Sequence, residues 1–153
     1  MSAEARLKEL GIELPEPVAP VASYVPAVRS GNQLWISGQV TKKGEKFLHN
    51  GKLGKDVSLV QGQEAARQSC LNALAAARKA LGSLDRVARV VKVVGFVASG
   101  PGFTDQPKVV NGASDLLVQV FGENGKHARS AVGVAELPLG VCVEIEMVLE
   151  IRD

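Results

Sequence analysis

A chain of 153 residues, 46% hydrophobic and 22% charged, has the size and make-up of one domain able to bury a sizeable core. Its net charge of +2 is too small to imply a nucleic-acid or membrane partner, and 4% aromatic residues argue against a base-stacking surface. Nothing resembles a signal peptide or a membrane span, and Cys70 and Cys142 form no disulfide framework or metal motif, so the expectation is a cytoplasmic protein with no metal site.

In chain order, Ser2 to Leu10 reads as a short helix whose Leu7 and Leu10 can dock on the body. Gly11 ends it, and Pro15, Pro17 and Pro20 keep the next segment extended, so residues 1–20 read as an extension to a single domain over 21–153. Val21 to Arg29 predicts a first strand and Gln33 to Gln39 a second, joined by a tight turn at Ser30-Gly31-Asn32. Lys42 to Lys55 is a loop rich in glycine and lysine, its charges either solvated or an anion-attracting rim.

Ser58 to Leu81 is the main helix. Ser58 with Gln61 predicts a capping box; Ala66, Cys70, Leu74, Ala77 and Leu81 form its stripe, and Gly82 stops it. Arg86 to Ala98 is a strand apolar on both faces, hence central. After the break at Ser99-Gly100-Pro101-Gly102, Asp105 caps a second helix. It carries Pro107 in its first turn, and Val109, Val110, Ala113, Leu116, Leu117 and Val120 point inward.

Residues 129–136 and 141–151 predict two more strands. The last alternates strictly, with Val143, Ile145, Met147, Leu149 and Ile151 on one face and Glu144, Glu146 and Glu150 on the other. The Leu137-Pro138-Leu139-Gly140 turn predicts an antiparallel hairpin between them. In that register Arg129, Ala131 and Gly133 share a face with Glu144 and Glu146, away from the helices, while Val132 and Val134 turn towards them. Arg129 and Glu144 then lie about four residues, roughly 13 Å, apart. A site using both must curve the sheet or borrow one residue from a neighbouring subunit.

The order β-β-α-β-α-β-β predicts an α+β fold, a mixed sheet with two helices on one face. Two helices leave the second face bare, and its apolar residues imply that oligomerisation covers it.

Several short motifs occur in order. They are Tyr24 ahead of the second strand, Gly31-Asn32, Ile36-Ser37-Gly38-Gln39, Asn111, Ala128-Arg129-Ser130, Leu137-Pro138 and Val143-Glu144-Ile145-Glu146. Over residues 21–151 the chain resembles the RidA (YjgF) family, some members of which have been labelled endoribonuclease L-PSP or translation initiation inhibitor. The resemblance implies a chorismate-mutase-like homotrimer with clefts between subunits. There, family enzymes hydrolyse enamines and imines such as 2-aminoacrylate to 2-keto acids and ammonia, without a cofactor.

On these residues, Arg129 is placed to grip a substrate carboxylate with a planar fork, and Glu144 to hold a water and move a proton. Those two are the expected catalytic pair. Tyr24, Ser37, Gly38, Asn111, Ala131 and His127 are the expected substrate-binding positions. The structural alternatives are an inter-subunit ion pair for Arg129 or Glu144, packing for Tyr24, and turn or cap hydrogen bonding for Ser37 and Asn111. Ala131 stands where the family's deaminases often carry cysteine, Ala22-Ser23 replaces a glycine-proline, and the 41–56 loop is longer, which suggests a divergent subgroup. The expected ligand is a small carboxylate, a 2-imino or 2-keto acid. A trimer that binds such a ligand without turning it over is the second reading, and ribonuclease activity a third.

Overall fold

The computed structural model describes all 153 residues. Helix α1 (Ala3–Glu9) is capped by the Ser2 hydroxyl. Strands β1 (Ala27–Ser30) and β2 (Gln33–Gln39) form a hairpin around Gly31-Asn32, and a small ribbon follows, β3 (Lys42–Lys43) with β4 (Lys46–Phe47). Helix α2 (Leu59–Leu81), strand β5 (Val87–Ala98), helix α3 (Gln106–Phe121), strand β6 (Ala128–Val134) and strand β7 (Val143–Ile151) complete the chain. No helix is long and apolar enough to cross a membrane.

The local rules hold at the long elements with one exception: Asp105 stands at the N-terminus of α3 but its side chain makes no capping hydrogen bond. The Ser58–Gln61 capping box is present in both directions, and Gly82 closes α2 in the left-handed conformation. The six residues expected to face inward from α3 are all buried. The first strand is shorter than expected, because residues 21–26 run outside the ladder. Pro26 has no N–H to give, and its carbonyl is taken by the Ser37 N–H at 2.9 Å.

The five-stranded sheet has the order β1-β2-β7-β5-β6, with only β5 and β6 parallel. This overturns the expected hairpin of the last two strands, which do not pair. Helix α3 carries the chain from the end of β5 back to its start, so β6 runs alongside β5 in the same direction. Residues 135–142 then cross the end of β5, and β7 inserts between β5 and β2.

The faces change with the order. Val93 stands opposite both Arg129 and Met147, so Arg129 is on the helix side of the sheet, with Ala131 and Gly133. Phe96 stands opposite both Val132 and Glu144, on the side away from α2 and α3. Arg129 and Glu144 therefore occupy opposite faces, not one, and Val132 points away from the helices rather than towards them.

Helices α2 and α3 cover one face, as expected, and α1 is a third helix, packed against α3 with Ala3 and Leu7 in the main core. The other face is uncovered. Val28 and Trp35 are each 53% exposed and Val132 43%, next to half-buried Val94 and Phe96.

Candidate active site in two half-sites

Arg129 sits at the outer strand of the sheet and reaches over α3. Its Nη1 donates to Asn111 Oδ1 at 2.8 Å and to Ser114 Oγ at 3.1 Å. Asn111 and Ser114 are three residues apart on one helix and so present adjacent acceptors. Both bonds use the same nitrogen, which leaves the Nε–Nη2 edge of the guanidinium without a partner in the chain.

His127 lies behind this pair. Its Nδ1 is 2.6 Å from the Gly125 carbonyl and its Nε2 is 2.9 Å from Ser114 Oγ. A carbonyl can only accept, so Nδ1 carries the proton, Nε2 accepts, and the Ser114 hydroxyl donates to it. Burial first, and the charge of Arg129 as well, lower the His127 pKa against the opposing pull of Gly125, which favours this neutral form. The imidazole therefore steadies Arg129 through Ser114. Ser114 escaped the sequence reading; its signal was the i, i+3 spacing from Asn111 on a helix that packs beside the arginine.

The second half-site lies on the uncovered face. Glu144 is half-buried, and no hydrogen bond or ion pair within the chain holds its carboxylate. Its pKa is raised, first by burial and then by the neighbouring charge of Glu146. The carboxylate lies against Gly38 so closely that a β-carbon there would collide with Oε1 and come within 2.9 Å of Cδ. Gly38 is thus the residue that lets Glu144 lie down over β2.

Tyr24, Gly38 and Glu144 line one cleft of 570 Å³. The extended segment Val18-Ala19-Pro20-Val21 and Lys42 and Phe47 of the small ribbon also line it. Phe47 and this segment were not anticipated as site residues, because only the tertiary fold carries them to Glu144; for the Lys42–Lys55 loop an anion-attracting rim was one of the two expectations. Ser37 does not line the cleft; its hydroxyl donates to the Val25 carbonyl at 2.6 Å and ties down the segment that bears Tyr24.

The structure thus brings Tyr24, Gly38 and Glu144 together, and separately Arg129, Asn111, His127 and Ala131. Within one chain it does not join the two groups. No three His, Cys, Asp or Glu side chains converge as metal ligands would. The thiols of Cys70 and Cys142 are buried, their pKa values pushed up to about 12 and about 11, and neither is available as a thiolate nucleophile.

A family model described as "YjgF/chorismate mutase-like, putative endoribonuclease" matches residues 4–151. Protein TCP17 of Trypanosoma cruzi is 49% identical over 150 residues, 97% of this chain and 94% of that protein. The 2-iminobutanoate/2-iminopropanoate deaminase of Dermatophagoides farinae is 32% identical over 138 residues, 90% of this chain and 91% of that protein. The crystal structure of Atu1372 from Agrobacterium tumefaciens, a protein of unknown function, superposes with a TM-score of 0.91 at 46% identity, covering 98% of this chain and 92% of that one.

Proposed function

The chain belongs to the YjgF/RidA family, and from that membership we propose that it is a hydrolase of reactive 2-imino acids. It would work as a homotrimer, in which the uncovered sheet faces are buried and each cleft combines Arg129 of one subunit with Tyr24, Gly38 and Glu144 of the next. The observation that carries this reading is the pair of unmatched half-sites. An arginine offers a free two-nitrogen edge on one side of the sheet, and an unpaired carboxylate with a raised pKa stands on the other. Neither can serve the other within its own chain, and a substrate with a carboxylate next to a C=N carbon needs both. The exposed Val28, Trp35 and Val132 support the assembly, since a face of that kind favours burial against another subunit.

The chemistry follows from the groups. The Nε–Nη2 edge of Arg129 takes the substrate carboxylate in two charge-assisted hydrogen bonds, which fixes the adjacent C=N carbon. Glu144, as the carboxylate, removes a proton from a water that attacks this carbon, giving a carbinolamine. Glu144 returns that proton to nitrogen and then relays the carbinolamine's hydroxyl proton to the amine; the C–N bond breaks as C=O forms, ammonia leaves, and the carbon keeps the water's oxygen as a 2-keto acid. An enamine such as 2-aminoacrylate first takes a proton at its terminal carbon to become the imine. The raised pKa of Glu144 suits a group that both gives and takes a proton. Tyr24, which lines the same cleft, would hydrogen-bond the attacking water or the leaving nitrogen.

The test is turnover of enzymatically generated 2-aminoacrylate by the purified protein and by Arg129→Ala. The expected result is faster release of pyruvate, and a loss on the order of 100-fold in the variant, about 3 kcal/mol for a desolvated bidentate pair. Arg129→Lys should not restore it, because a point charge cannot reproduce the fork. No turnover together with Arg129-dependent binding of 2-oxobutyrate would replace this reading with that of a non-catalytic binder. A variant that loses thermal stability but keeps ligand affinity would make Arg129 structural.

A further inference from the structure

We propose that Lys42 is a second anion-binding group of the Glu144 cleft, and that the molecule bound there is a 2-imino or 2-keto dicarboxylate. This rests on the reading of the cleft as a composite imino-acid site, and it narrows the substrate class from small carboxylates to those with a second acidic group.

The position of Lys42 is built rather than incidental. Lys42 pairs with Phe47 in the ribbon of β3 and β4, so the two side chains share one side of it, and both line the cleft. Lys43 and Lys46, the other pair, are on the opposite side and exposed. The Lys42 backbone is anchored from below. Its carbonyl accepts from Gln68 Nε2 at 3.1 Å and from Asn72 Nδ2 at 2.9 Å, and Asn72 also donates to the Val40 carbonyl at 2.9 Å. Gln68 and Asn72 are both buried in α2, and Gln68 also donates to Asn72. Two buried amides on the main helix thus hold this short ribbon, which keeps the root of the lysine still.

The ammonium itself is unclaimed. None of the chain's ion pairs involves Lys42. The one acidic residue that lines the cleft is Glu144, and its pKa is raised by burial and by Glu146 with no counter-charge drawing it down. Lys42 and Glu144 therefore mark two poles of one cleft rather than an ion pair. A substrate whose first carboxylate is held by Arg129 of the adjoining subunit puts its reacting carbon at Glu144. Its side chain then runs past Tyr24 and Phe47 towards Lys42. A second carboxylate on a four- or five-carbon skeleton meets that cation, and a point charge on a flexible stem tolerates either length.

The test uses 2-keto acids as product analogues. Calorimetric affinities for 2-oxobutyrate, oxaloacetate and 2-oxoglutarate are compared for the wild type, Lys42→Met, Lys43→Met and Arg129→Ala. The wild type should favour at least one dicarboxylate over 2-oxobutyrate by about tenfold, the range of a partly desolvated charge pair. Lys42→Met should erase the preference, lowering dicarboxylate affinity about tenfold more than that for 2-oxobutyrate. Lys43→Met removes the same net charge on the other side of the ribbon and should keep the preference. Equal wild-type affinities, a preference that survives Lys42→Met, or equal losses in the two lysine variants would overturn the assignment of Lys42. Arg129→Ala separates the two levels: unchanged affinity for all three acids in that variant would overturn the composite site itself. No measurable wild-type binding of any of them at millimolar concentration would overturn both.

Discussion

Gly38→Ala adds one methyl group at the place where Glu144 has none to spare. The backbone of Gly38 is not in the left-handed region, so alanine fits the strand, and the conflict is confined to the Glu144 side chain. The new β-carbon would overlap Oε1 and lie 2.9 Å from Cδ and 3.2 Å from Cγ, inside ordinary van der Waals contact. The carboxyl group must swing aside by on the order of 1 Å, which a flexible side chain beside an open cleft can do. Stability should therefore change little, while a misplacement of that size costs about 100-fold in kcat/KM, or about 2.7 kcal/mol. The assay is steady-state release of 2-keto acid from an enzymatically generated imine, with melting temperature measured in parallel. A double-mutant cycle isolates the cause. On a Glu144→Ala background the alanine at 38 should cost nothing further, because the group it displaces is gone. Full activity in Gly38→Ala would refute the role of this contact. An additive loss in the double variant would show that Gly38 acts on something other than Glu144.

Two further outcomes are expected. His127 is held neutral, its folded pKa below 6.5; the unfolded chain takes the proton first, so the contribution of His127 is present above that value and lost as pH falls through it. Between about pH 7.5 and 5.5 the melting temperature should fall more steeply in the wild type than in His127→Asn, and parallel curves would show that the imidazole does not titrate against folding. Trp35→Glu places a charge in the apolar patch of the uncovered face. Light scattering should show the mass drop from three times 16.1 kDa towards 16.1 kDa, and an unchanged trimer, or a wild type already monomeric at micromolar concentration, would remove the case for burial of this face.

What the sequence by itself determined were the features governed by neighbours in the chain. The capping box at Ser58 and Gln61, the glycine stop at Gly82, the inward row of α3 and the bounds of β2 each depend on a few adjacent residues, and all are present. The alternation of β7 likewise put Glu144 on the face away from the helices, where it is. Strand order is not of this kind. The short Leu-Pro-Leu-Gly turn suggests a hairpin, yet a β-α-β crossover of sixteen helical residues commits β6 to lie parallel to β5, and that commitment belongs to the sheet as a whole.

Period-two alternation, moreover, separates two faces without saying which one meets the core. On β6 hydrophobicity pointed to Val132 and Val134, but size decided the matter. The helix side of this outer strand lies so near the start of α3 that a β-carbon at Gly133 would come within 2.7 Å of Gln106 Nε2 and 3.0 Å of Ser99 Oγ. Small residues sit there without displacing those side chains, and Ala131 and Gly133 turn inward while the valines turn out. Arg129 joins the small residues because its long stem carries the guanidinium beyond the crowding, to acceptors that α3 supplies at Asn111 and Ser114. The chemistry of Arg129 and Glu144 was legible from their residue types; their separation onto opposite faces of the sheet was decided by how one strand packs against one helix.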